Sequence, residues 1–146
     1  MAGRLSQAAL ALVLALVLGC CSTTTSARDT FGDEPLATDT FAGLEVLHED
    51  WSDGSSGSPI TGKSSQTQVT RKLVADDGAA LANGFSELVA TAGTSGWARE
   101  DDLSDNVRFI ATKTLPAGTA QLLIRIYPDG DLSGDGNPYI LVDLTV

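Results

Sequence analysis

Apolar residues recur at every second position through the C-terminal part of this chain, and that pattern narrows the fold more than any other feature. Val107, Phe109 and Ala111 form one alternating set, Leu122, Ile124 and Ile126 a second, and Ile140, Val142, Leu144 and Val146 a third. A period of two places all apolar side chains of a strand on one face, so each set reads as a strand with one side buried. Pro116-Ala-Gly118 supplies a turn between the first two, and a Gly/Asp-rich loop separates the second from the third. Three consecutive strands on short connections predict an antiparallel meander, whose apolar face needs a cover.

The cover is found upstream. Leu81, Phe85, Leu88 and Ala92 repeat at helical spacing with Val89 beside them, Asp77 suits an N-cap and Gly93 a left-handed stop. Gln66–Ala75 is rich in Thr and Val, with Val69, Leu73 and Ala75 on one parity, and reads as a further strand. Phe41–Trp51 fits both periods: Phe41, Leu44, His48 and Trp51 are spaced as on a helix, whereas Leu44, Val46 and His48 alternate, and the balance leans to strand. Ser52–Pro59 is a loop by composition. The expected fold is α+β: a small two-layer sandwich over 41–146, an antiparallel sheet with a C-terminal three-strand meander and one packed helix.

The N-terminal region reads as an address. After Arg4, an uninterrupted apolar run from Ala8 to Leu18 is too short to span about 30 Å of hydrocarbon and has the length of a signal-peptide core. It ends in Val17-Leu18-Gly19-Cys20, which resembles the lipobox of bacterial lipoproteins: an aliphatic residue, a small residue and then the obligatory cysteine. The resemblance covers only the first 20 residues. It implies that 1–19 is a signal peptide, that the Cys20 sulfur receives a diacylglyceryl group, and that the mature protein is held at the extracytoplasmic face of a cell membrane. Two acyl chains anchor far more firmly than one. The small polar stretch that follows suggests a flexible tether to about residue 40, reaching ~25 Å as a coil.

Charge excludes some functions. Removing Met1–Gly19 takes away one cation and no acid, leaving eight Lys and Arg against nineteen Asp and Glu, net −11. Such a surface repels phosphates, and no basic stripe interleaved with aromatics offsets it, so nucleic acid is not an expected partner. The only two cysteines are the adjacent Cys20 and Cys21, so neither a disulfide framework nor a zinc-type spacing exists.

Two motifs match ligand-binding patterns. Gly57-Ser-Pro-Ile-Thr-Gly62-Lys63-Ser64 fits the P-loop letter for letter, and Asp143 ends a strand as a magnesium-binding Asp does. The mechanism also needs a buried strand before the loop and a helix after it. Here Glu49-Asp50-Trp51-Ser52-Asp53 precedes it and a Thr-rich strand follows, so nucleotide binding is not expected. Asp131, Ser133 and Asp135, followed by Gly136, reproduce the first half of an EF-hand-type calcium loop, with Asp129 just before it as a further candidate ligand. The twelfth position counted from Asp131 is Val142 where a bidentate Glu belongs, and the flanks read as strands. A solvated Asp-Gly turn loop is the favoured reading, with a calcium site as the alternative.

No catalytic constellation stands out. His48 is the only histidine, and there is neither a G-x-S-x-G elbow nor a cysteine suited to act as nucleophile. Glu45, Glu49, Asp50 and Asp53 could pair as in a two-carboxylate hydrolase, although small acidic domains scatter such residues over their surfaces anyway. Trp97 is expected in the core, with Trp51, Tyr127 and Tyr139 treated alike. The expected function is a non-catalytic envelope lipoprotein with an envelope protein partner or a structural role. The alternatives are a small calcium- or ligand-binding module and, behind it, a secreted hydrolase.

Overall fold

The computed structural model describes residues 24–56, 64–130 and 137–146. Cys20, most of the P-loop-like segment, and Asp131, Ser133 and Asp135 lie outside the described residues. The fold is α+β. Strands β1 (Thr24–Thr25) and β3 (Gly54–Ser55) form a two-stranded sheet. Strands β2 (Glu45–Ser52), β4 (Gln68–Val74), β5 (Ala98–Arg99), β6 (Arg108–Leu115), β7 (Gly118–Tyr127) and β8 (Tyr139–Thr145) form a six-stranded sheet in the order β2-β4-β8-β7-β6-β5. Every pairing is antiparallel, and β6-β7-β8 is the expected meander.

Register puts the apolar set of each strand on one face. Val69, Leu73, Phe109, Ala111, Leu122, Ile124, Ile140, Val142 and Leu144 are all buried there. The helix Gly78–Thr94 packs on it through Leu81, Gly84, Leu88 and Ala92. Asp77 caps the helix by accepting the Ala80 N–H at 2.7 Å. The stop comes later than Gly93: the chain turns left-handed at Gly96 (φ +85°), and Trp97 N–H reaches back to the Ala92 carbonyl at 3.1 Å.

Gly84 holds a core position because Leu44 lies on it. A Cβ at Gly84 would come within 2.6–2.7 Å of Leu44 Cδ2, Cδ1 and Cγ. Gly84→Ala gains about 1 kcal/mol of helix propensity but meets an overpacking cost of about 1–3 kcal/mol. The expected outcome is a lower urea midpoint, by about 1 kcal/mol of stability. A midpoint at or above that of the parent would show that Leu44 gives way freely.

The expected tether is a correction. Residues from Thr24 onward belong to the folded body: β1 is followed by α1 (Ala27–Phe31) and α2 (Pro35–Thr38), with the long helix thus α3. Ala27, Phe31, Leu36 and Ala37 are fully buried against the same sheet face. Ser26 caps α1 through its hydroxyl, and Pro35 opens α2 at a position where its missing N–H costs nothing. The domain therefore already includes residues 24–40, which precede the expected start at 41. Phe41–Leu44 is a turn, and the strand lean holds for Glu45–Ser52.

Two polar networks lock this N-terminal segment down. Glu34 accepts from Lys113 Nζ at 2.6 Å and from Trp97 Nε1 at 3.1 Å, under cover of the core. Arg71, 2% exposed, donates to the Leu36 carbonyl at 3.0 Å and lies 3.2 Å from Glu49. The charge attraction between Arg71 and Glu49 outweighs the hydrogen bonding between them. Burial lowers the basicity of Arg71, while Glu49 and Asp39 pull it back up.

The two sheet edges differ. β2 is exposed along nearly its whole length and carries a bulge between Val46 and His48. Beyond the short β5, segment 100–105 folds along β6: Glu100 N–H bonds the Ile110 carbonyl, Ser104 Oγ accepts the Ile110 N–H, and Asp105 N–H bonds the Arg108 carbonyl.

Candidate interaction surface

The three α-helices lie on one side, which leaves the other face of the six-stranded sheet without a described cover. Alternation determines what stands on it. Register aligns Lys72 (β4), Leu141 (β8), Arg125 (β7) and Arg108 (β6) in one cross-strand row, with His48 (β2) at its edge. The next row is Asp50, Thr70, Asp143, Leu123 and Ile110. On the four central strands this face therefore carries three cations and one carboxylate, in a chain of net −10.

The cationic row is poorly compensated. Arg108 and Arg125 sit directly opposite each other, an arrangement that costs stability in an antiparallel pair. Arg108 meets Asp105 at 3.5 Å, yet its Nε is buried with no hydrogen-bond partner. Lys72 and Arg125 form no ion pair with any described residue. Each lies instead over an aromatic ring, Lys72 Nζ 4.1 Å from the Tyr139 centroid and the Arg125 guanidinium 4.7 Å from that of Tyr127. The two tyrosines are a cross-strand pair stacked at 4.6 Å. The result is a cation–ring–ring–cation ladder that holds both charges in place. The single carboxylate is already engaged, since Asp143 accepts from Gln68 at 2.7 Å and Thr70 at 3.0 Å.

At the end of the ladder, beside the start of α3, a cleft of about 340 Å³ is lined by Leu47, Lys72, Val74, Asp77, Asn137 and Pro138. Leu123, Leu141 and Ile110 are half-buried on the same face. An arrangement of rigid strands, fixed cations and half-open apolar side chains can hold an anionic segment by charge and flank it with apolar contact.

The other sequence-derived candidates do not converge. Alternation along β2 sends Glu49 to the covered face, where it accepts from Trp51 Nε1 at 2.6 Å and faces Arg71. Asp50 points to the open face and accepts from Ser52. Asp53 accepts the Ala27 N–H at 2.8 Å, and Glu45 is exposed at the far end of the strand. The four carboxylates are thus divided between two faces and two ends, not gathered into a pair. His48 is exposed on the edge strand. Of the calcium-loop residues, Asp129 is exposed just after β7, and the others lie outside the described residues. Among the described residues, no three His, Cys, Asp or Glu side chains are grouped to hold a metal. Trp97 is in the core as expected, whereas Tyr139 is buried on the opposite face, beneath its stack.

The cationic row escaped the sequence argument although its signal was present. Once Leu122, Ile124 and Ile126 point inward, Leu123, Arg125 and Tyr127 must point outward. Outward Leu123 and Leu141 were the residues to question. Among the described residues no helix is long and apolar enough to cross a membrane. Comparison with protein-family models, with curated proteins and with solved structures gave no match.

Proposed function

We propose that this chain is an exported lipoprotein, held by diacylglyceryl Cys20 at the extracytoplasmic face of a cell membrane, and that its domain is a non-catalytic docking module for another envelope protein. One observation carries the reading. An acidic molecule keeps a sheet face that no described residue covers, on which Lys72, Arg125 and Arg108 are aligned, with two facing arginines and an orphaned Nε. A partner segment with carboxylates or phosphates and apolar side chains would relieve that repulsion and cover Leu123 and Leu141.

The test is site-specific crosslinking in intact cells. A photoreactive amino acid at Leu123 is expected to give a discrete adduct, while the same probe at exposed Glu87 on α3 gives none. Lys72→Glu with Arg125→Glu should reduce the Leu123 adduct about tenfold or more, as expected when fixed charges at an interface are reversed. No adduct at Leu123, or one that persists unchanged in the reversed variant, overturns the proposal.

A further inference from the structure

We infer that the end of the sheet bearing β1, β3 and the Pro116-Ala117 turn rests on the membrane surface, so that the Tyr127–Tyr139 end is presented outward. The inference builds on the anchoring of Cys20 proposed above. Only four residue steps separate Cys20 from Thr24, the first described residue of β1. At 3.3–3.6 Å per residue the link reaches at most about 14 Å. A domain on so short a link cannot sample orientations freely; one end must stay close to the headgroups.

That end is distinctive in its charge. Among the described residues it is built from segments 24–26, 54–56, 64–67, 114–119 and 144–146, which carry no acidic side chain although the chain has nineteen. A shallow depression there is lined by Thr25, Gly54, Ser55, Ser65, Ala117 and Val146, all small or uncharged side chains. Asp53, the nearest acid, is turned back onto the Ala27 N–H. The Val146 carbonyl oxygen is tied to Thr67 N–H at 3.2 Å. The opposite end, by contrast, carries Glu45, Asp76, Asp77, Asp105 and Asp129. Anionic headgroups repel carboxylates within about one Debye length, ~8 Å at physiological salt. An end without acidic side chains, on a short link, is the end such a surface accepts. The length of β7, at ~3.3 Å per residue, then sets the ladder and the cleft about 30 Å further out.

The experiment uses full-length lipidated protein carrying Cys21→Ser, reconstituted into phosphatidylcholine–phosphatidylglycerol vesicles with an acceptor dye on the headgroups. A donor is placed through Ala117→Cys or Asn137→Cys, both exposed positions. Energy transfer is expected to be about threefold or more higher from position 117, given the ~30 Å difference in height. A Gly/Ser spacer of about 15 residues inserted after Ser22 should erase most of that difference. Equal transfer from both positions, with the diacylglyceryl group on Cys20 verified by mass, overturns the orientation and leaves the anchor standing. Absence of that mass, with no vesicle binding, overturns both together.

Discussion

Phe31→Ala and Leu36→Ala are each expected to cost about 3–5 kcal/mol of stability, a large share of the 5–15 kcal/mol typical of a small domain. Both side chains are fully buried under the sheet, in two helices that precede the first long strand. Each truncation removes apolar contact and leaves a cavity that short helices, pinned by Arg71 and Glu34, cannot close by moving in. Urea unfolding followed by the fluorescence of Trp51 and Trp97 measures the effect. A change below about 1 kcal/mol at both positions would show that 24–40 is dispensable linker after all.

Glu34→Ala ranks next. It strands the indole N–H of Trp97, which is 4% exposed, and removes the counter-charge of Lys113. An unsatisfied buried donor and a broken, largely buried ion pair together predict a loss of about 2–4 kcal/mol. Glu34→Gln keeps an oxygen for Trp97 and gives up only the charge, so it should cost about half as much. Equal losses for the two variants would mean that the Lys113 contact supplies the whole effect. No loss in either would remove Glu34 as the fastening of this segment.

The fold was legible where elements are long enough to show a period. β6, β7 and β8 alternate over seven to ten residues and α3 repeats over seventeen, so sheet, helix and their packing could be read directly. α1 and α2, of five and four residues, are shorter than any window in which a helical period can appear. The small polar residues before them and the Gly, Pro and acids around them imitated a linker. Phe31, Leu36 and Phe41 were the available warning, being large apolar residues that a solvated tether has no use for, together with Ser26 and Pro35 at helix-opening positions. The candidate surface was only partly legible. Strand parity fixes which residues face outward, but the alignment of Lys72, Arg125 and Arg108 depends on inter-strand register, which loops of unlike length conceal.

The two borders of the main sheet bear on life at the proposed membrane surface, where copies of one molecule are crowded into a plane. Exposed strands in that setting invite chain-to-chain pairing and growth into fibres. Along β6 the outer amides and carbonyls near Arg108 and Ile110 are already occupied by Glu100, Ser104 and Asp105. β2 is the other edge among the described strands, but it is kinked between Val46 and His48 and studded with Glu45, Glu49 and Asp50, so a second copy would meet a bent template and like charges. Crowding can therefore raise the number of neighbours without letting them zip together.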